Sequence, residues 1–217
     1  MRSKARFLLG RLAILISASL VIVSCSSETD GVPQASSPAG VPGDSSSQAP
    51  QGSRYPVESP LDVSPFLDDP CSLVSPGLLD SLGFSSGEGR EKTVDNDDVA
   101  ALAGPYCGWL GEDEGNLTVG IQSGNTQRGT GGLEGIRALH EQGRFKFWEE
   151  ASISGYPSAY YGLNDYRAQG DCSIVVGVAE DMTFSVSADF YYDNPENACE
   201  IAQEVAGGVI QNLRGVN

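Results

Sequence analysis

Gly83-Phe84-Ser85-Ser86-Gly87 has the G-x-S-x-G spacing that lifts a nucleophilic serine on a sharp strand-to-helix turn. Asp97 and His140 follow it in the order of a hydrolase triad. The chemistry needs a strand before the serine, a helix after it, a base in reach and backbone donors for the oxyanion. Here a capped helical stretch precedes Ser85, and an acidic, Gly-rich run from Gly87 to Asp98 follows. His140 is the single histidine of the chain, near the end of a second helical stretch, where it suits a surface or dipole-facing role. The metal motifs are weaker. His140-Glu141 is followed by Gln142-Gly143-Arg144, so H-E-x-x-H is not completed. Asp95-Asn96-Asp97-Asp98 lacks the Gly and closing Glu of a calcium loop. Gly124 to Gly132 lacks the Lys-Ser/Thr of a phosphate loop. The chemistry-bearing residues therefore predict no catalytic centre, no metal and no cofactor, with a serine hydrolase through Ser85 as the second alternative.

The five cysteines divide by position. Cys25 ends Leu20-Val21-Ile22-Val23-Ser24-Cys25, after a basic stretch (Arg2, Lys4, Arg6, Arg11) and an uncharged run from Leu12 to Val23. That is the charged and apolar architecture of an export signal. A retained transmembrane helix needs about 20 apolar residues, and Arg11 interrupts this one too early. The end of the run resembles the lipobox of bacterial lipoproteins, which implies a diacylglyceryl group on the Cys25 sulfur and cleavage just before it. Cys71, Cys107, Cys172 and Cys199 remain, an even set that reads as disulfides in an exported domain. None lies close enough to another for a C-x-x-C zinc knuckle. Of the three connectivities, Cys71–Cys107 with Cys172–Cys199 is favoured, since each closes a modest loop and ties a helix edge to a strand.

Charge and composition then set the organisation. Residues 1–24 hold four of the 13 basic residues and none of the 29 acids, so the remaining chain carries nine cations and a formal charge of −20. Such a balance repels nucleic acid and anionic headgroups, so the membrane connection falls to the N-terminal lipid. Two acyl chains make a stable anchor where one would be marginal. Ser26 to Pro60 contains nine Ser, six Pro and four Gly, too little apolar material for a core. The sequence predicts a signal peptide over 1–24, a lipidated Cys and disordered tether over 25–64, and one domain over 65–217. A flexible tether of that length spans on the order of 35 Å.

The elements that must position any site are well punctuated. Ser75 caps a helix with Pro76 at its first position, Val74 and Leu79 as a staple, and Gly83 at its end. A second helix is expected over about Leu133 to Gln142, and a long last one from Asn194-Pro195 to about Arg214. Leu117, Val119 and Ile121 alternate with polar neighbours. So do Cys172, Ile174, Val176 and Val178, and, after a turn at Glu180-Asp181, Phe184, Val186, Ala188 and Phe190. Shorter strands are expected at Tyr106–Leu110, Phe145–Glu150 and Ala159–Leu163. The fold class is α+β: an antiparallel sheet of about five to six strands with helices packed on it, stapled by two disulfides.

Aromatic side chains supply the remaining lead. Tyr160, Tyr161, Tyr191 and Tyr192, with an apolar body and a polar tip, are a candidate contact surface for a protein or glycan, although alternate members are expected to pack inside. Arg128, Arg137, Arg144 and Lys146 form the basic locality and are expected to balance carboxylates. Asp69-Pro70-Cys71 ahead of a capped helix, Cys107-Gly108-Trp109, Asp171-Cys172 opening a strand, and Pro195 followed by Cys199 together resemble the actinobacterial cell-envelope lipoproteins of domain of unknown function 3558. The likeness runs from about Pro65 to the C-terminus, with the lipobox and tether. Asn194-Pro195 departs from a tight D-P-C at that end. The resemblance implies a surface-anchored, non-catalytic domain and supplies no catalytic residues. The leading expectation is a lipid-anchored binding or accessory module on the outer face of the cell membrane, with an envelope protein or glycan as partner. Its alternative is a carrier of a lipid or other apolar ligand.

Overall fold

The computed structural model describes residues 53–84, 89–111 and 115–216. Cys25, residues 1–24, the tether as far as Gly52, and Ser85 lie outside the described residues. One antiparallel sheet of seven strands organises the domain, in the order β1-β2-β3-β7-β6-β5-β4. The strands are β1 (Arg90–Lys92), β2 (Tyr106–Leu110), β3 (Asn116–Ile121), β4 (Phe147–Ile153), β5 (Tyr156–Gly162), β6 (Cys172–Gly177) and β7 (Thr183–Asp189). The α+β class stands, with one strand more than the alternation of the sequence indicates. That strand is β1, three charged residues on the sheet edge with no apolar period to read.

The alternation expected of β3, β6 and β7 is what builds the main core. Leu117, Val119 and Ile121 face the same way as Ile174 and Val176 and as Phe184, Val186 and Ala188, all at most 1% exposed. Helix α5 (Pro195–Val216) lies on this face and buries Ala198, Ala202, Val205, Ala206, Val209, Ile210 and Leu213. The small residues of that stripe let the helix sit close to the strands, which is how a sheet face and a helix stripe share one core. The segment before β1 closes the side of this core. Its helix α1 (Pro76–Ser81) begins as the sequence indicates, with Ser75 Oγ accepting the Leu78 N–H, and Val74 and Leu79 both buried. The disulfides are Cys71–Cys107, tying this segment to β2, and Cys172–Cys199, tying β6 to α5.

Helix α4 (Gly132–Glu141) covers part of the opposite face, where Leu133 and Ile136 meet Ala159 and Val175. Tyr55 completes this second cluster. The tether expected over 25–64 therefore ends earlier, because residues 53–64 belong to the folded domain. Tyr55, Leu61 and Val63 are buried, the Leu61 N–H donates to the Val178 carbonyl at 2.9 Å, and Tyr156 Oη donates to the Ser59 carbonyl at 2.7 Å. Three large side chains suffice to hold a segment whose average composition reads as disordered. Two short helices also escape the apolar period. They are α2 (Asp98–Ala103), capped by Asp97, and α3 (Ser123–Gln127).

Antiparallel pairing brings alternate strand ends together. β2, β5 and β7 end, and β3, β4 and β6 begin, along one edge of the sheet. The chain enters the domain near this same end, where Arg54 lies 3.6 Å from Glu141 in the last turn of α4.

Candidate functional site

Asp97 and His140 do not come together, and Ser85 lies outside the described residues. Asp97 caps α2, its Oδ1 accepting the Val99 and Ala100 N–H groups at 2.9 and 3.0 Å. Those backbone donors, the Ala100 N–H foremost, hold its carboxyl below the usual range. Tyr106 Oη, on β2, also donates to it at 3.4 Å. His140 belongs to the far flank of the sheet. Its Nδ1 is 2.7 Å from the Phe145 carbonyl, and its ring stacks on Trp148 of β4 at 5.8 Å. In the strand order, β2 and β4 stand near opposite edges, so Asp97 and His140 serve separate elements. Among the described residues no group of three His, Cys, Asp or Glu side chains is placed to hold a metal.

The basic locality divides in the same way. Arg137 donates to Glu150 Oε1 at 2.7 Å and to Tyr55 Oη at 3.0 Å, while Tyr55 Oη itself donates to Glu150 at 2.7 Å. Arg128 is spent on the Leu102 carbonyl and Asn125. Arg144 and Lys146 are exposed beyond α4. These residues stitch elements and make no common anion site.

The four tyrosines also separate, for a reason built into strand geometry. Tyr160 and Tyr161 are neighbours on β5 and so point to opposite faces. Tyr160 is half-buried on the α5 face with the Arg167 guanidinium 5.7 Å from its ring, and burial raises its hydroxyl pKa. Tyr161 faces the other way, edge-on to Phe145 at 5.1 Å, with its hydroxyl accepting from Gln122 Nε2 at 3.3 Å. Tyr191 packs against the core, and a Cβ on Gly115 would run into its ring. Tyr192 alone of the four is open to solvent, at 66%.

A residue that sequence reasoning placed inside makes the difference at this end. Phe190 continues the buried alternation of β7 on paper, yet it is half exposed with φ +73°. Pairing with β6 stops at Ala188 opposite Cys172, so Phe190 has no strand across from it. Asp171 captures its N–H through Oδ1 at 2.9 Å, and the Gly170 carbonyl takes the next N–H, that of Tyr191, at 3.0 Å. Positive φ in a bulky aromatic is a true outlier, held only where the surroundings over-determine it. The consequence is an aromatic pair on the surface, the Phe190 and Tyr192 rings 6.0 Å apart and tilted by 54°.

Beneath the pair runs a cleft of about 820 Å³ with Leu82 and Ile201 in its lining, together with Asp193, Asn194 and Asn197. The same end of the sheet gathers exposed apolar side chains from three loops. Leu110, Leu163, Tyr166, Phe190 and Tyr192 are five of the nine large apolar residues left exposed among those described. Scattered singly such residues mean little; five at one end of the sheet beside a cleft make that end a candidate contact surface. Nearby, burial and the neighbouring Asp171 push the Asp189 carboxyl up to about 6, against a hydrogen bond from Asn116. On the same side of the sheet's end, Arg167 forms a network with Asp165 and Glu149 at 2.9 and 3.0 Å.

No curated protein and no solved structure matches the chain. The family described as "Protein of unknown function (DUF3558)" matches residues 20–212, nearly the whole length, and the chain belongs to that family.

Proposed function

We propose that the chain is a lipid-anchored protein of the outer face of the cell membrane that works by binding rather than catalysis. The lipobox-like run ending at Cys25 supports the anchor, and the charge of −20 after residue 24 leaves attachment to the lipid rather than to surface electrostatics. One observation carries the binding reading: the exposed aromatic corner over a cleft, where Phe190 is held at positive φ beside Tyr192. Natural domains keep such strain where it serves a contact. The partner is an envelope protein or glycan, and nucleic acid is disfavoured by the acidic surface.

Carriage of an apolar ligand would need room between the sheet and α5, a space filled by Val119, Val186, Val205 and Val209, all fully buried. No observation favours it over surface contact. The hydrolase alternative would rest on Ser85, with Asp97 and His140 engaged elsewhere.

Intact-mass analysis of the membrane fraction, combined with an active-serine reagent, tests both halves. The expected result is a diacylglyceryl-modified N-terminus at Cys25 and no label at Ser85. An unmodified Cys25 in membrane-bound protein contradicts the anchor. Stoichiometric label at Ser85 that disappears in His140→Ala contradicts the non-catalytic reading.

A further inference from the structure

The cleft beneath the aromatic corner has an unequal chemistry. Among the described residues, its apolar lining comes from Leu82 and Ile201, its rim carries the Phe190 and Tyr192 rings, and its polar side chains are two tyrosine hydroxyls, two amides and one carboxylate, that of Asp193. No Lys, Arg or His is among the described residues that line it. Of the cations toward this end of the sheet, Arg167 is committed to Asp165 and Glu149, and Arg90, opposite Gly108 on β2, is not in the lining. The first turn of α5 brings a partial positive charge toward the cleft, but Glu196 in that turn and Asp193 just before it offset the helix dipole with full charges. What remains is a negative site with exposed π faces and a greasy floor.

Lysine and arginine side chains meet all three features at once. Their alkyl stems cover apolar surface while the head stays polar. The head is attracted to aromatic faces and to a carboxylate. The chain after residue 24, at −20, draws cationic partners over longer range. We propose that this cleft takes a Lys or Arg side chain presented by a basic segment of a partner polypeptide. The inference rests on the binding-module reading and narrows it to one partner class. A neutral glycan would stack on the rings and donate hydroxyls to Asp193 and the amides but gain nothing from the overall charge, so salt dependence separates the two.

The test is titration of the full chain in detergent with a short Lys/Arg-rich peptide, its Glu-rich counterpart and a neutral oligosaccharide, over a series of salt concentrations. The basic peptide binds, more weakly as salt rises. Asp193→Asn and Tyr192→Ser each weaken binding by about three- to tenfold. Asp181→Asn, at the opposite end of the sheet, leaves it unchanged. Basic-peptide binding that ignores Asp193→Asn and Tyr192→Ser overturns the assignment, as general charge attraction would then explain it. Oligosaccharide binding that needs Tyr192, with the peptide silent, also overturns it while leaving the binding module intact. Silence of every probe, together with a cleft left unprotected in the native envelope, removes both readings.

Discussion

Asp189 shows how far a single carboxyl at the candidate surface departs from its solution behaviour. Its pKa rises from 3.8 to about 6, first through burial and then through the charge of Asp171. The folded state therefore holds a proton that the unfolded chain has released between roughly pH 4 and 6, so stability falls as pH rises through that window and is level above it. Asp189→Asn is expected to match the parent at pH 4 and to exceed it at pH 7. The gain is on the order of 1 kcal/mol once solvent screening of this part-exposed group is allowed for. Urea midpoints at the two pH values measure it, and equal midpoints at pH 7 would show that Asp189 ionises freely. Some residue-level roles were legible in the sequence and others were not. The cysteine pairs followed from loop size and from the elements they join. Ser75 and Pro76 announced a helix start because caps act locally. Phe190 misled, since alternation reports which way a strand would point and carries no signal for where pairing stops. Asp97 shows the limit of sequence order alone: an acid in triad order and a helix cap look alike until the Val99 and Ala100 N–H groups are seen donating to it.

Elements were readable where one face is continuously buried. β3, β6, β7 and α5 declare themselves because each contributes a full apolar row to the main core. β1, α2 and α3 have no such row; they are set by pairing with β2, by a cap and by packing on neighbours, none of which leaves a period. The segment 53–64 is the clearest miss. Its Pro and Ser content reads as tether, while Tyr55, Leu61 and Val63 bury against the domain. Burial of three such side chains contributes roughly 5–8 kcal/mol before ordering entropy, which is comparable with the whole stability of a domain. A chain beginning at residue 65 is therefore expected to unfold at a much lower urea concentration than one beginning at residue 53. Tyr55→Phe in the longer chain, which loses the hydroxyl's bonds to Glu150 and Arg137, should cost only about 1 kcal/mol. Identical midpoints for the two chain lengths would put the domain boundary back where composition alone places it.

At the scale of the whole molecule, the packed elements and the exposed apolar side chains fall in different places. Disulfides, α5 and the buried strand faces hold the sheet, while one edge of it collects three loops, five exposed apolar side chains and the strained Phe190. None of this arrangement was legible in the sequence, where Leu110, Leu163 and Tyr192 are far apart; antiparallel pairing brings them to the same end of the sheet, with Leu110 and Leu163 four strand positions apart. The central claim, that this end is where the protein meets its partner, is tested most directly by amide hydrogen exchange. The full chain is compared in isolated native envelope and after purification in detergent. The account predicts slower exchange in the envelope at Leu110, at Gly115 and across Phe190 to Asn197, with the turn at Glu180 and Asp181 unchanged. Protection confined to that opposite turn or to the β4 edge, or no difference between the two states, would contradict it.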